Sequence, residues 1–327
     1  MSPDHVTLRP FEDADEEPVV ALLAESLGWQ TDELHARFFR WKHRENPFGP
    51  SPGWVATAAG DVVGFRTFLR WDLEEHGQVV HAVRAVDTAT APSHRGQGIF
   101  SSLTRHALDS LADEGVDFVF NTPNTQSRGG YLKLGWEPAG RLQVRARPAS
   151  LRAPARMLRA RAPAALWGEP VTVGEPASEV LADAGAVASL LAGQPAEQGL
   201  RTRRTPAFLA WRYGFEEHRY RALLAGAGVA DGVALFRVRR RGAAREAVVC
   251  DVVVPGSEAG PTRDLLRRVV RRSGADYAVR LNGAGPRRDG FVPVPGQGPA
   301  LVWRGVCQTR RPEPDDWRLV LGDVELF

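Results

Sequence analysis

Long apolar runs are absent from this sequence, which argues against a membrane-spanning protein. No stretch approaches the roughly 18 consecutive apolar residues that a membrane helix needs. Residues 1–18 carry six acidic side chains and no apolar segment of the kind found in secretory signals. We therefore predict a cytoplasmic protein that has no membrane partner.

Cysteine and lysine are also scarce. Cys250 and Cys307 form no C-x-x-C pair, and the histidines show no metal-ligand spacing, so neither a metal ion nor a redox centre is predicted. Lys42 and Lys133 are the only lysines among 42 basic residues, which oppose 39 acidic ones. The resulting net charge of +3 is too small to indicate a nucleic-acid partner.

The chain is long enough for two domains, because 327 residues are about twice the usual domain length of roughly 150. A break is indicated over residues 141–167, where seven arginines alternate with prolines and no acidic residue occurs. We predict a first domain over residues 1–147, an Arg/Pro-rich linker over 148–167 and a second domain over 168–327.

The second half of the sequence repeats features of the first. The matched residues are Phe38, Trp41 and Asp87 in the first half and Phe208, Trp211 and Asp251 in the second. The spacing of each aromatic pair places both rings on one helix face, where we expect core packing and assign no chemistry. The repetition predicts two copies of one α+β fold.

Hydrophobic periodicity predicts the elements of the first copy. The predicted helices cover residues 15–27, 31–44, 98–114 and 125–134, and the predicted strands cover 6–9, 54–59, 62–73, 78–90, 116–121 and 136–147. Residues 317–327 are apolar enough to form a docked strand rather than a frayed tail.

A glycine-rich turn over residues 95–98 links a predicted strand to a predicted helix. Glycines allow close approach of the backbone to a ligand, and a helix N-terminus favours a phosphate or pyrophosphate. Arg95 can bind phosphate oxygens through its planar fork. A Walker loop is excluded because no lysine is near, and a dinucleotide fingerprint fits poorly because Ser101 replaces its third glycine.

This segment resembles the acyl-CoA loop of the GNAT superfamily of acetyltransferases, [QR]-x-x-G-x-[GA]. Arg95, Gly98 and Phe100 occupy the motif positions, and Phe100 departs from the small residue at its end. A second GNAT motif is matched by Asn124 and Tyr131, followed by the run Lys133-Leu-Gly-Trp136. The resemblance implies two tandem GNAT-like mixed-sheet domains with helices on both faces. The second copy is degenerate, because residues 255–263 lack the loop motif, and it is expected to shape the acceptor site.

The resemblance also implies acetyl-CoA as co-substrate, without a metal. The predicted acyl-CoA contacts are Thr88, Ala89, Thr90, Arg95, Gly96, Gln97, Gly98, Ile99, Phe100, Asn124 and Ser127. Asn124 is also a good N-cap for the helix that follows it, and the two roles are compatible.

The resemblance indicates three catalytic groups. Tyr131 is predicted to protonate the departing CoA thiolate; the alternative is a tyrosine that only packs under Trp136. Asp87 is a candidate general base, yet its counterpart Asp251 lies in the copy without a loop, so a structural role at a bulge is equally favoured. The carboxylate of Phe327 is the other base candidate, because the chain end reaches the active site in acetyltransferases of the enhanced intracellular survival type.

The function implied is transfer of an acetyl group to a primary amine of a small molecule, such as an amino sugar, an aminoglycoside or an amino-bearing metabolite. Protein lysine acetylation and acyl-CoA sensing without turnover are the alternatives. The acceptor, the length of the acyl group and the oligomeric state, monomer or homodimer, stay open.

Overall fold

The computed structural model describes residues 6–150, 153–159, 162–195, 198–281, 289–307 and 311–325. Within these segments, no helix combines the length and the apolarity that crossing a membrane would demand.

The strands are Thr7–Pro10 (β1), Gly53–Ala58 (β2), Asp61–Glu75 (β3), Gln78–Thr90 (β4), Phe118–Asn121 (β5), Glu137–Arg141 (β6), Val144–Pro148 (β7), Glu175–Pro176 (β8), Arg201–Thr202 (β9), Arg221–Leu224 (β10), Val233–Arg241 (β11), Ala244–Val253 (β12), Tyr277–Leu281 (β13), Val292–Pro293 (β14) and Ala300–Gly305 (β15). The helices are Glu16–Leu27 (α1), Glu33–His43 (α2), Ile99–Asp113 (α3), Thr125–Lys133 (α4), Ala153–Arg159 (α5), Ala177–Val180 (α6), Ala184–Ala192 (α7), Pro206–Gly214 (α8), Ala259–Arg272 (α9) and Leu321–Val324 (α10).

Two mixed sheets organise the described chain. The first has the order β1-β2-β3-β4-β5-β15-β6, with β9 added along β3, and the second has the order β14-β7-β13-β12-β11-β10-β8. Each contains one parallel junction, β4 with β5 and β12 with β13. We call the first sheet with α1–α4 the first unit and the second sheet with α6–α9 the second unit. The predicted α+β class with two mixed sheets is confirmed.

The helices cover both faces of the first sheet. Ile99, Leu103 and Leu111 of α3 are buried among the residues of one face. The opposite face buries Leu23 of α1 and Phe39 of α2. The helix predicted over residues 98–114 is confirmed, and Gly115 follows it with a φ of 72°, the left-handed conformation that often ends helices.

The two sheets exchange strands. β7 follows β6 in sequence but pairs with β13 of the second sheet, and β15 returns from the second half to lie between β5 and β6. The sheets therefore do not separate at residue 147. The single strand predicted over 136–147 is wrong, because the chain leaves the first sheet between β6 and β7 and enters the second.

The prediction of a docked strand at residues 317–327 is also wrong, because the segment is docked as a helix and not as a strand. The chain forms the short helix α10 there, whose four residues are buried. The backbone amide of Val320 donates to the Asp323 carboxylate at 2.7 Å, which closes the first turn and favours a helix over an extended strand.

The matched aromatic pairs pack against each other between the two units. Trp41 of α2 and Trp211 of α8 stack with their ring centroids 5.0 Å apart. The Trp41 indole donates to the Trp211 carbonyl at 3.0 Å, and the Trp211 indole donates to the Trp41 carbonyl at 2.8 Å. This reciprocal pair gives the interface an approximate twofold symmetry and confirms a packing role for these rings.

Candidate active site

The central strands of the first sheet diverge and leave a cleft. β4 and β5 pair from Ala82 with Phe118 to Arg84 with Phe120, and among the described residues no strand pairs with that edge of β4 beyond this point. Asp87 lies in the divergent part with a φ of 40°, at a bulge in the β3–β4 pairing. Bulges interrupt regular pairing and re-aim neighbouring groups, so this part of β4 keeps polar backbone groups for a ligand.

The loop after β4 offers backbone amides to an anion. Gly96 and Gly98 have φ values of 78° and 80°, which glycine adopts without strain. A Cβ at either position would meet nothing within 4 Å, so the loop is open. No carbonyl of the described chain accepts from the amides of residues 96–98, and α3 has no acidic residue in its first turn. These amides and the helix N-terminus form a site suited to phosphate groups.

Arg95 extends this anion site at its exposed edge. Its Nε atom donates to the Thr90 carbonyl at 3.3 Å, which ties the side chain to the end of β4. No carboxylate of the described residues lies within ion-pairing distance of Arg95, so its charge is available to a bound anion. The side-chain amide of Gln97 donates a longer hydrogen bond, of 3.4 Å, to the Ser93 carbonyl.

Asn124 and Ser127 form the start of α4. The Asn124 Oδ1 atom accepts from the backbone amides of Gln126 at 3.0 Å and Ser127 at 2.9 Å, which confirms the predicted N-cap. The Ser127 hydroxyl also donates to Oδ1 at 3.0 Å. The cap consumes the oxygen of Asn124 and leaves its NH₂ group for a ligand.

Tyr131 lies on the buried side of α4, and its side chain is only 3% exposed. Its ring meets Phe100 edge to face at 5.6 Å between centroids and contacts Trp136 at 5.2 Å. Phe100, the bulky departure from the GNAT motif, thus forms a wall of the tyrosine site. The hydroxyl is held by Arg66 of β3, whose Nη1 atom donates to it at 2.8 Å.

Arg66 was not anticipated from the sequence, because a lone arginine in a strand belongs to no motif. It is fully buried, and its guanidinium carbon lies 4.4 Å from the Phe68 ring centroid and 5.4 Å from that of Phe100. Asn121 at the end of β5 was missed for the same reason. It is 3% exposed, and its Oδ1 atom has no donor among the described residues, so it is a candidate acceptor for an amide of a bound ligand.

Asp87 is engaged on the opposite face of the sheet. Its carboxylate accepts from Lys42 Nζ at 2.7 Å and lies 2.8 Å from His43 Nε2. Burial raises the pKa of Asp87, but the Lys42 charge and the contact with His43 outweigh burial and hold the pKa well below its usual range. A carboxylate with so low a pKa is a weak proton acceptor.

His43 continues this cluster. Its Nδ1 atom lies 3.0 Å from the Ser51 hydroxyl, and burial lowers the pKa of the imidazole despite the neighbouring Asp87 carboxylate. The ring is therefore neutral near pH 7. Burial likewise lowers the pKa of Lys42, against the attraction of Asp87. Sequence spacing gave no signal for this cluster, since α2 and β4 meet only in the folded chain.

The remaining predicted residues of β4 contact other parts of the first unit. The Thr88 hydroxyl donates to the Phe65 carbonyl at 3.2 Å, Ala89 is buried, and Thr90 pairs with Gly64. Only their backbone groups on the cleft side can serve a ligand. Phe327 lies outside the described residues.

Comparisons with known proteins agree with this geometry. Residues 7–139 match the model of the acetyltransferase (GNAT) domain family. A search of curated proteins found no match.

Solved structures share the fold over 92% of this chain. A GCN5-related N-acetyltransferase from Anabaena variabilis ATCC 29413 aligns with a TM-score of 0.63 and 17% identity over 92% of this chain and 73% of its own. One from Kribbella flavida gives 0.62 and 18% over 92% and 71%, and Eis1 from Mycobacterium abscessus gives 0.57 and 14% over 92% and 74%. The chain carries a GNAT acetyltransferase domain over residues 7–139 and is an enzyme of the acyl-CoA N-acyltransferase type.

Proposed function

We propose that this enzyme transfers the acetyl group of acetyl-CoA directly to a primary amine of a small molecule. The proposal is supported by the free amides of the loop after β4, the divergence of β4 from β5 and the tyrosine hydroxyl that Arg66 holds. In this proposal the amides of residues 96–100 and Arg95 hold the pyrophosphate. The free edge of β4, Asn124 and Asn121 hold the pantetheine arm.

Direct transfer requires three things of the protein: a bound thioester, an amine without its extra proton, and a proton for the departing thiolate. Tyr131 supplies the last of these. Asp87 keeps its structural role in this proposal, because its ion pair with Lys42 makes it a poor base. It accepts from Lys42 and holds His43 in place, and the proton that the amine loses passes to solvent.

The small-molecule acceptor is supported by the packing of the second unit against the first. The core that contains Trp41 and Trp71 of the first unit also contains Phe208 and Trp211 of the second. A second layer of protein therefore covers the sheet face against which Lys42 and His43 of α2 pack. We expect an amine that fits beneath this layer to be favoured over a lysine on a folded protein.

Thiol release tests the proposal. Acetyl-CoA is incubated with the full chain and one of four amines: an amino sugar, an aminoglycoside, a polyamine or a lysine-containing peptide. We expect amine-dependent release with at least one small amine and none with the peptide. Preference for the peptide would favour protein lysine acetylation. Acetyl-CoA binding by calorimetry without amine-dependent release would favour a sensor.

A further inference from the structure

Arg66 is a buried charge at the centre of the first unit. It is 0% exposed, and no carboxylate of the described residues forms an ion pair with it. Its Nη1 atom donates to Tyr131, whereas Nε and Nη2 have no acceptor among the described residues. Buried arginines are almost always paired with an acid, because an isolated charge in a protein interior is costly.

Aromatic rings compensate for part of this cost. The guanidinium carbon lies 4.4 Å, 5.4 Å and 5.2 Å from the ring centroids of Phe68, Phe100 and Tyr131. Cation–π contacts of this kind attract the guanidinium to the ring faces, but they give its Nε and Nη2 atoms no hydrogen-bond acceptor. Unsatisfied buried polar groups are rare in proteins, and a role in catalysis is one of the reasons for which they are kept.

The contact with Tyr131 determines where the tyrosine proton points. A guanidinium has no acceptor atom, so Tyr131 can only accept from Arg66. The hydroxyl hydrogen must therefore point away from Arg66, toward another acceptor. A phenol that accepts from a cation also becomes a better donor, because the cation stabilises the negative charge left on its oxygen.

We propose that Arg66 is a positioning residue that orients the Tyr131 hydroxyl as a proton donor and stabilises the oxygen after the proton has left. The inference rests on the proposed function. As the amine nitrogen bonds to the acetyl carbon, the carbon–sulfur bond breaks and its electron pair stays on sulfur. The Tyr131 proton moves to that sulfur, which gives a neutral thiol. The proton lost by the amine passes to solvent, and solvent returns one to Tyr131.

A double-mutant cycle tests the inference in the full chain. R66M removes the charge and the donors while keeping a long apolar side chain, and Y131F removes the hydroxyl. We expect R66M to lower kcat by about 10- to 100-fold and to leave the KM for acetyl-CoA within about 2-fold. In the Y131F background R66M should change kcat by less than about 3-fold, because the group it positions is already gone.

Two further variants separate positioning from packing. R66K keeps a cation with donors and should recover part of the kcat lost in R66M. R304M serves as the matched control, because Arg304 also lies against an aromatic ring, that of Trp136 at 5.5 Å, but has no contact with the Tyr131 hydroxyl. Its kcat should stay within about 2-fold of wild type. If R66M fails to fold by circular dichroism, R66Q and R66Q/Y131F form the same cycle, because glutamine also removes the charge.

The outcomes are distinct. Equal kcat losses from R66M in both backgrounds would overturn the inference, as would unchanged kcat in R66M. A wild-type kcat in Y131F would overturn it as well, because no acid would remain to be positioned. If the wild-type chain binds acetyl-CoA but turns over no amine, the proposed function itself fails, and the inference fails with it.

Discussion

The two units share one topology but differ at the place where a cofactor would bind. In both, a parallel strand pair begins regularly and then diverges: β4 from β5 after Arg84, and β12 from β13 after Val248. In both, a loop and an amphipathic helix follow the first of these strands. The loop of the first unit has free amides at residues 96–98, whereas the loop of the second unit has an engaged glycine amide and an acidic residue at the N-cap of the helix that follows.

Two features make the second loop less suited to an anion than the first. The Gly256 amide donates to the Gly193 carbonyl at 2.8 Å, so it is not available to a ligand. Glu258 occupies the N-cap of α9 and makes no capping hydrogen bond, which places a carboxylate where an anion would otherwise be attracted. The diverging strands are thus shared by both units, and the units differ in the chemistry of the loop that follows.

The matched aspartates of the two units also differ, in the direction of their pKa shifts. Asp87 has a strongly lowered pKa because of Lys42 and His43. Asp251 is paired with Arg204 at 2.7 Å, yet burial, aided by the nearby Asp323 carboxylate, raises its pKa. An aspartate at this strand position is therefore a shared structural feature whose ionisation depends on its neighbours.

The largest effect is expected from a change that acts only on the first unit. Y131F should lower kcat by about 10²- to 10⁴-fold and leave acetyl-CoA affinity nearly unchanged, because the phenol does not hold the ground state. Y277F is the matched control: it removes a hydroxyl of the second unit that donates to Glu246 at 3.0 Å. Steady-state rates that fall equally in both variants would contradict a single catalytic unit.

The next effect concerns the aspartates and their pH dependence. D87N should cost about 3 kcal/mol of unfolding free energy at pH 7, since it breaks a buried ion pair. The lowered folded pKa means that this stabilisation is present above the unfolded pKa of about 3.9 and is lost on acidification below it. The difference between wild type and D87N should therefore shrink from pH 7 to pH 3.

D251N provides the opposite case, because the pKa of Asp251 is raised where that of Asp87 is lowered. A raised folded pKa gives stabilisation that is present below the unfolded pKa and is lost as the pH rises through the folded value. Urea unfolding at pH 3, 5 and 7 should show the cost of D251N growing, not shrinking, toward low pH. Parallel profiles for the two variants would show that the aspartates are equivalent after all.

Loss of the loop charge ranks third. R95A removes a charge-assisted contact of about 1.5 to 3 kcal/mol, which corresponds to roughly 10- to 150-fold weaker acetyl-CoA binding. Calorimetry of the wild type should give one site per chain, because the second loop carries Glu258 at the N-cap of its helix. R105A, an exposed arginine on α3 outside the loop, should bind like wild type. Two sites per chain would mean that the second cleft also binds the co-substrate.

The smallest effect tests the symmetry between the units. W41F and W211F each remove one of the two reciprocal hydrogen bonds and should each cost about 1 to 2 kcal/mol of stability, including some lost packing. The double variant should cost less than the sum, since the stacked rings are in contact. Thermal unfolding that is far more sensitive to one tryptophan would show an asymmetric interface.

Local features of the fold were predictable from the sequence. Periodicity located β4, α3 and α4 nearly to the residue, and the N-cap at Asn124 follows from its side chain alone. Contacts between distant segments were not predictable, because periodicity carries no partner information. Two such contacts are the ion pair of Asp87 with Lys42 and the hydrogen bond from Arg66 to Tyr131. Both depend on how β3, β4 and the helices pack together.

The exchange of β7 and β15 between the sheets has a consequence for folding during synthesis on the ribosome. Residues 118–141 contribute β5 and β6 early, but the strand that fills the gap between them is synthesised only at residues 300–305. Pairing over such a separation is slow, and until it occurs both strands expose unpaired edges. The first sheet therefore cannot be completed before most of the second unit has been synthesised. A chain that ends before residue 300 would lack β15 and would leave the first unit incomplete.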